Sequence, residues 1–262
     1  MLGIRSFVKL HSIDPILVRR FENLGKWDVG LRKELSVDQM VHSILDFPFH
    51  RLQESLGPER AATAMTTIFS DFDSTSTNKT KGAVGQYLVL ANLLKDSEVV
   101  IHNIERNLDV VMVAGEALNI RRVDIQALVG GVLKDIEVKV FLERTWQENL
   151  QQSMKFVASD PANGTRNKAG QLFNDIVAFS QGNTGKQWHF LPSVNATSED
   201  ILEYIRQQIL DPSISKNLQR LLANGEDLTP FEWLQRVDTL IEEMDEAGFV
   251  VVNSLNVLVG DK

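Results

Sequence analysis

No cysteine occurs among the 262 residues, which excludes disulfides, thiolate metal sites and cysteine nucleophiles, and fits a reducing compartment. Also missing is any apolar run of the roughly 18 residues that a membrane-spanning helix needs, so no membrane span is expected. The opening MLGIRSFVKLHSIDP has neither the apolar stretch nor the small-residue cleavage site of a secretory leader, and a cytoplasmic location is expected. HExxH, the nucleophile elbow, the phosphate-binding Gly-Lys-Ser/Thr loop and GxGxxG are all absent. There is no internal repeat.

What remains has ordinary globular composition, 43% hydrophobic and 24% charged, enough for one large domain or two small ones. The net charge of −8 argues against a generally basic, DNA-coating protein. Residues 197–262 hold 13 acidic against 5 basic side chains, leaving 22 of each sign in the remainder. A nucleic-acid surface would therefore be local and lie before residue 197, because the acidic end repels phosphate.

Three regions are expected: a helical N-terminal region over 1–79, a mixed α/β core over 80–196, and an acidic, mainly helical C-terminal extension over 197–262. Ser36-Val-Asp-Gln39 reads as a capping box, and Pro58 suits the first turn of a helix running towards Phe69. The polar stretch Asp71–Lys81 reads as a linker. Helical spacing of apolar residues follows over 82–95. EVVI (98–101) and LDVVMV (108–113) read as strands. Thr145-Trp-Gln-Glu148 opens a helix to about Ala158, with Trp146, Leu150, Met154 and Val157 on its apolar face, and 159–170 reads as a loop. KQWHFL (186–191) is a strand closed by Pro192. Helices are expected from Ser198 and from Thr229-Pro230-Phe-Glu232, the latter ended by Gly248, with a terminal hairpin or buried strands in FVVV and LNVLV.

The informative stretch is RRVDIQALVGGVLKDIEVKVF (121–141), in which acidic residues interrupt two β-branched runs. Gly130-Gly131 suits a two-residue hairpin turn, whose central positions favour positive φ. That turn places Val129 opposite Val132, Gln126 opposite Asp135, Asp124 opposite Glu137 and Arg122 opposite Lys139. Alternation then puts Asp124, Glu137 and Lys139 on one face, and Val123, Ile125, Val138 and Val140 in the core. Opposed residues have Cβ atoms about 4.5–5.5 Å apart, where two carboxylates repel unless a cation or proton lies between them. Mg²⁺, with Mn²⁺ as its substitute, accepts one or two carboxylates together with water and phosphate oxygens. Lys139, about 6–7 Å along the strand from Glu137, would reach a metal-bound water. This arrangement suits phosphodiester hydrolysis. The competing account is acidic decoration of a solvent-facing strand.

These residues resemble the PD-(D/E)XK, or restriction-endonuclease-like, nuclease superfamily. Asp124 matches its first acidic ligand, and Glu137-Val138-Lys139 its E-x-K triplet. The resemblance implies an α-β-β-β-α-β core, onto which residues 80–192 can be laid in order, and DNA as the default substrate ahead of RNA. It implies a Mg²⁺-dependent endonuclease of a bacterial toxin-effector, restriction or phage-defence type, acting in the producing or the target cell. Separately, the acidic extension over 197–262 would suit an intramolecular inhibitor folded over the site, and the acidic face of the Trp233–Met244 helix would suit a basic protein partner. Gln86, in KGAVGQYLVLANLL, stands where the family's first core helix often carries glutamate, so a second metal site lacks its negative ligand. A polar residue from the helix after the triplet often contacts the catalytic centre or the phosphates, which Gln147 or Gln151 would match. Those two form one stripe with Lys155. Gln86 and Lys155, with Arg166 and Lys168 of the loop NGTRNK, are the candidates for substrate contact. His102 and His189 lie in apolar runs and read as core histidines. The alternative from another class is a nuclease-like fold that binds or assembles without catalysis.

Overall fold

The computed structural model describes residues 47–71, 77–107, 112–113, 116–117, 122–141, 146–157, 168–192, 196–211, 218–219, 221–223 and 226–252. In chain order these form α1 (Phe47–Leu56), α2 (Pro58–Ser70), α3 (Thr77–Leu93), β1 (Val100–Asn107), β2 (Met112–Val113), β3 (Glu116–Ala117), β4 (Arg122–Val129), β5 (Val132–Phe141), α4 (Trp146–Met154), β6 (Phe156–Val157), β7 (Lys168–Ala169), α5 (Gln171–Ser180), β8 (Lys186–Pro192), α6 (Ser198–Leu210), α7 (Pro230–Glu246) and β9 (Val250–Val252).

A five-stranded mixed sheet in the order β1-β4-β5-β8-β9 organises the chain. β4 is antiparallel to both of its neighbours, β1 and β5, whereas β8 is parallel to β5 and β9 is parallel to β8. Each parallel step needs a crossover, and helices supply it: α4 and α5 between β5 and β8, α6 and α7 between β8 and β9. The protein is thus α/β, with one helical layer on each side of the sheet. Behind it, α1, α2 and α3 bury Phe49, Met65, Tyr87 and Leu90 against Ile101, Ile125, Ile136 and Val138. In front, α4 to α7 bury Leu150, Phe173, Ile205 and Val237 against Trp188, Phe190 and Val250.

The Gly-Gly turn forms as the sequence requires, with φ of 56° at Gly130 and 78° at Gly131. Pairing from Val129↔Val132 to Ile125↔Ile136 follows the expected register. Val123, Ile125 and Val138 are buried, and Val140 packs partly buried against the rear core. The helix from Pro58 and the strand from Lys186 also form as expected. So do the capping boxes Thr197/Asp200 and Thr229/Glu232, and Gly248 takes a positive φ after α7.

Other elements differ from expectation. Thr77–Lys81, assigned to a linker, is the first turn of α3, because helical hydrogen bonding tolerates polar residues wherever a packed continuation anchors them. The helix after the triplet stops at Met154, and Phe156–Val157 pairs with Lys168–Ala169, so Val157 lies on a strand and the expected loop ends in one. Val250–Val252 lies parallel to β8 rather than in a terminal hairpin. The capping box at 36–39, Thr145, residues 108–111, Arg166 and LNVLV fall outside the described residues. Among the described residues no helix is long and apolar enough to cross a membrane.

Gly170 sets the position of α5. A Cβ there would stand 2.1 Å from the backbone oxygen of Ser153, with which the chain is in direct apposition. Gly170→Ala is therefore expected to destabilise the fold by about 1–3 kcal/mol through backbone displacement, checked by urea unfolding.

Candidate functional site

The β4/β5 ladder ends at Ile125↔Ile136, and two side chains take over where the next rungs would fall. The Asp124 carboxylate accepts the Val138 N–H at 2.7 Å through Oδ2. The Asp124 carbonyl accepts from Gln86 Nε2 at 2.9 Å. The Asp124 side chain is thereby fixed beside the Glu137–Val138 peptide. Gln86, 4% exposed on α3, holds the Asp124 backbone through this bond.

Glu137 is 2% exposed although charged residues are seldom so buried without a partner. Its Oε1 contacts Lys139 Nζ. The same Nζ donates to Gln171 Oε1 at 2.6 Å and lies 5.3 Å from the centroid of the Trp188 ring. A cation over an indole face is attracted by the ring quadrupole. Trp188 is itself fixed by its Nε1–H, which donates to Asp175 Oδ2 at 2.8 Å. Gln171 and Asp175 are one helical turn apart on α5, so this single helix positions both the amide beside Lys139 and the ring beneath it.

Two residues towards the start of β5, on the same face, a polar row crosses four strands. Asn103 Nδ2 donates to Gln126 Oε1 at 3.1 Å, Gln126 Nε2 to Asp135 Oδ1 at 2.8 Å, and Lys186 Nζ to Asp135 Oδ2 at 3.0 Å. Lys186 is 2% exposed, and its charge is matched by Asp135. The row fixes the register of β1, β4, β5 and β8 immediately beneath Asp124 and Glu137.

The residues expected from the helix after the triplet do not join this cluster. Gln147 lines a cleft of about 680 Å³ with Trp146, Glu199, Asp200, Glu203 and Tyr204, and its backbone oxygen accepts the Tyr204 hydroxyl at 3.0 Å. Burial and the neighbouring Glu148 carboxylate push the Tyr204 phenol up. Gln151 is half-buried on α4, and Lys155 is exposed beyond its end. Among the described residues, no hydrogen bond or ion pair links either one, or Gln147, to Asp124, Glu137 or Lys139. The place beside the lysine belongs to Gln171, the first residue of α5, because the β6–β7 pairing brings the chain back through Gly170. Lys168 stands on β7, paired with Val157. His102 is exposed rather than buried, with its carbonyl accepting from Arg60 at 2.7 Å, whereas His189 is buried and hydrogen-bonded to Gln187 at 2.9 Å.

Comparison with known proteins finds no matching family model, no matching curated protein and no matching solved structure. Among the described residues, no group of three or more His, Asp or Glu side chains is arranged as a set of metal ligands. Two hard carboxylates on adjacent strands nonetheless suit Mg²⁺, which takes one or two of them and completes its shell with water and phosphate oxygens.

Proposed function

We propose that the protein is a metal-dependent nuclease that hydrolyses phosphodiester bonds, with DNA ahead of RNA as substrate. The observation that carries this reading is the convergence of Asp124, Glu137 and Lys139 where the β4/β5 ladder opens, with the lysine held by Glu137, Gln171 and the Trp188 ring. The order α3, β1, β4, β5, α5, β8, with β2 and β3 inserted after β1 and α4, β6 and β7 inserted after β5, supports a reading as a restriction-endonuclease-like core.

In this reading Asp124 and Glu137 hold the cation, and Mg²⁺ there would supply a nucleophilic hydroxide and offset the charge that develops on the phosphoryl oxygens. Lys139 presents its ammonium to the attacking water and to the phosphate. Gln171 fixes the direction of that ammonium, so that little reorganisation remains at the moment of reaction. Trp188 closes the underside of the lysine to solvent.

The test is cleavage of supercoiled plasmid and labelled RNA by wild type with Mg²⁺, Mn²⁺ or EDTA. Cutting of one substrate class that EDTA stops supports the reading; absence of cutting under every condition overturns it and favours a non-catalytic binding module. Gln171→Leu removes the acceptor at 2.6 Å while keeping helix-compatible bulk. It is expected to lower the cleavage rate about tenfold, equivalent to one charge-assisted hydrogen bond of about 1.5 kcal/mol, with Gln171→Glu restoring a good part. Single-turnover rates across pH check this, because a misdirected lysine alters the profile and a loosened helix lowers only the amplitude.

A further inference from the structure

Glu105 is the single non-glycine residue among the described residues with positive φ, at 56°. An L residue adopts that conformation only where its surroundings hold it. β1 pairs Ile104 with Ile125 and Arg106 with Val123, so Glu105 stands opposite Asp124. Its carboxylate is ion-paired with Arg122. Arg122 precedes Asp124 by two residues on β4 and shares its face. Two cation–carboxylate pairs thus flank Asp124, Arg122–Glu105 from the β1 side and Lys139–Glu137 from the β5 side. The Arg122 side chain is 57% exposed and that of Glu105 19% exposed. An exposed pair of this kind contributes too little to stability to account for a strained backbone.

We propose that Arg122 is a phosphate-binding residue of this site, gripping the nucleic-acid backbone beside the bond to be cut, and that Glu105 holds it ready until a phosphate replaces the carboxylate. The proposal rests on the nuclease reading and names the residue through which substrate enters. A guanidinium presents a planar fork that matches two phosphate oxygens, which the ammonium of Lys139 does not. Exchange of one oxyanion partner for another at an exposed arginine requires little desolvation. The local charge agrees with this order of events. Asp124, Glu105 and Glu137 outnumber Arg122 and Lys139 by one, so the face repels phosphate until a divalent cation reverses its sign.

Binding, read without cleavage, tests this. Fluorescence anisotropy with end-labelled DNA and RNA oligonucleotides is measured in Ca²⁺ over a series of salt concentrations. Arg122→Gln is expected to weaken binding about tenfold and to reduce the slope of log affinity against log salt by about 0.7–0.9, the loss of one phosphate contact. Glu105→Gln is expected to tighten binding several-fold, and the double variant to bind as Arg122→Gln does. Arg122→Lys keeps the slope with part of the affinity, and serves if Arg122→Gln melts well below wild type. Unchanged affinity and slope in the Arg122 variants, while wild type binds and cuts, would overturn the proposal and leave the nuclease reading standing. A wild type that neither binds nor cuts DNA or RNA overturns both.

Discussion

Glu137→Ala is expected to lower Mg²⁺-dependent cleavage by about 10²–10⁴-fold, the range associated with losing a group that acts directly on the reacting centre. Glu137 contributes twice to the site: its carboxylate is a candidate cation ligand, and it is one of three contacts that hold Lys139. The alanine variant removes both contributions. Glu137→Gln separates them, keeping shape and an oxygen while removing the charge, and should lose cation dependence with less disturbance of the lysine. Lys139→Met leaves the carboxylates in place and should retain Mg²⁺ binding while losing rate. Plasmid nicking rates, with Mg²⁺ affinity from isothermal titration, distinguish the three. An alanine variant that cuts as fast as wild type would falsify the assignment of this cluster as the catalytic centre.

Lys186→Met is expected to destabilise the protein by about 3–5 kcal/mol, because it leaves the Asp135 carboxylate in a mostly buried place without its cation. For a chain of this size that is roughly 10 °C in Tm. Lys186 and Asp135 are joined at 3.0 Å, and Asp135 also accepts from Gln126, so the unpaired charge would disturb a row reaching to β1. Adding Asp135→Asn should recover a good part of the loss. The charge is then gone, while an oxygen remains for the Gln126 amide. Thermal unfolding of wild type, the single variants and the double variant gives the coupling directly. A Lys186→Met protein as stable as wild type would mean that the row does not support the sheet.

The hairpin was legible because everything that specifies it is local: a Gly-Gly turn, period-two alternation and β-branched residues. The same locality made Asp124, Glu137 and Lys139 readable as neighbours. Their backbone rungs were not foreseeable, because the opening of the ladder depends on Gln86 reaching across from α3. In α5 the polar side is itself packed inside the fold: Leu172 to Phe179 are all buried, Asn174 and Asp175 included, where QLFNDIVAFS as a sequence would turn those two to solvent. Gln171 and Asp175 therefore looked like ordinary polar residues, and the polar stripe of α4 drew attention in their place. The burial of Lys186 was equally hidden, since its partner Asp135 lies on a strand 51 residues earlier. The acidic excess after residue 197 suggested an appendage. In the fold, α6, α7 and β9 complete the front core and the sheet.

That completion by the last described strand has a consequence for synthesis on the ribosome. Phe249 and Val250 belong to the same core as Trp188, and the Phe249 carbonyl receives the Trp188 backbone N–H at 2.6 Å. A nascent chain stopped before Phe249 already contains Asp124, Glu137, Lys139 and Gln171, yet lacks the edge strand and the packing that hold the ring under the lysine. If the proposed function holds, a chain ended before Phe249 is therefore expected to lack cleavage activity, and the cell that makes it would meet that activity only after translation has passed β9.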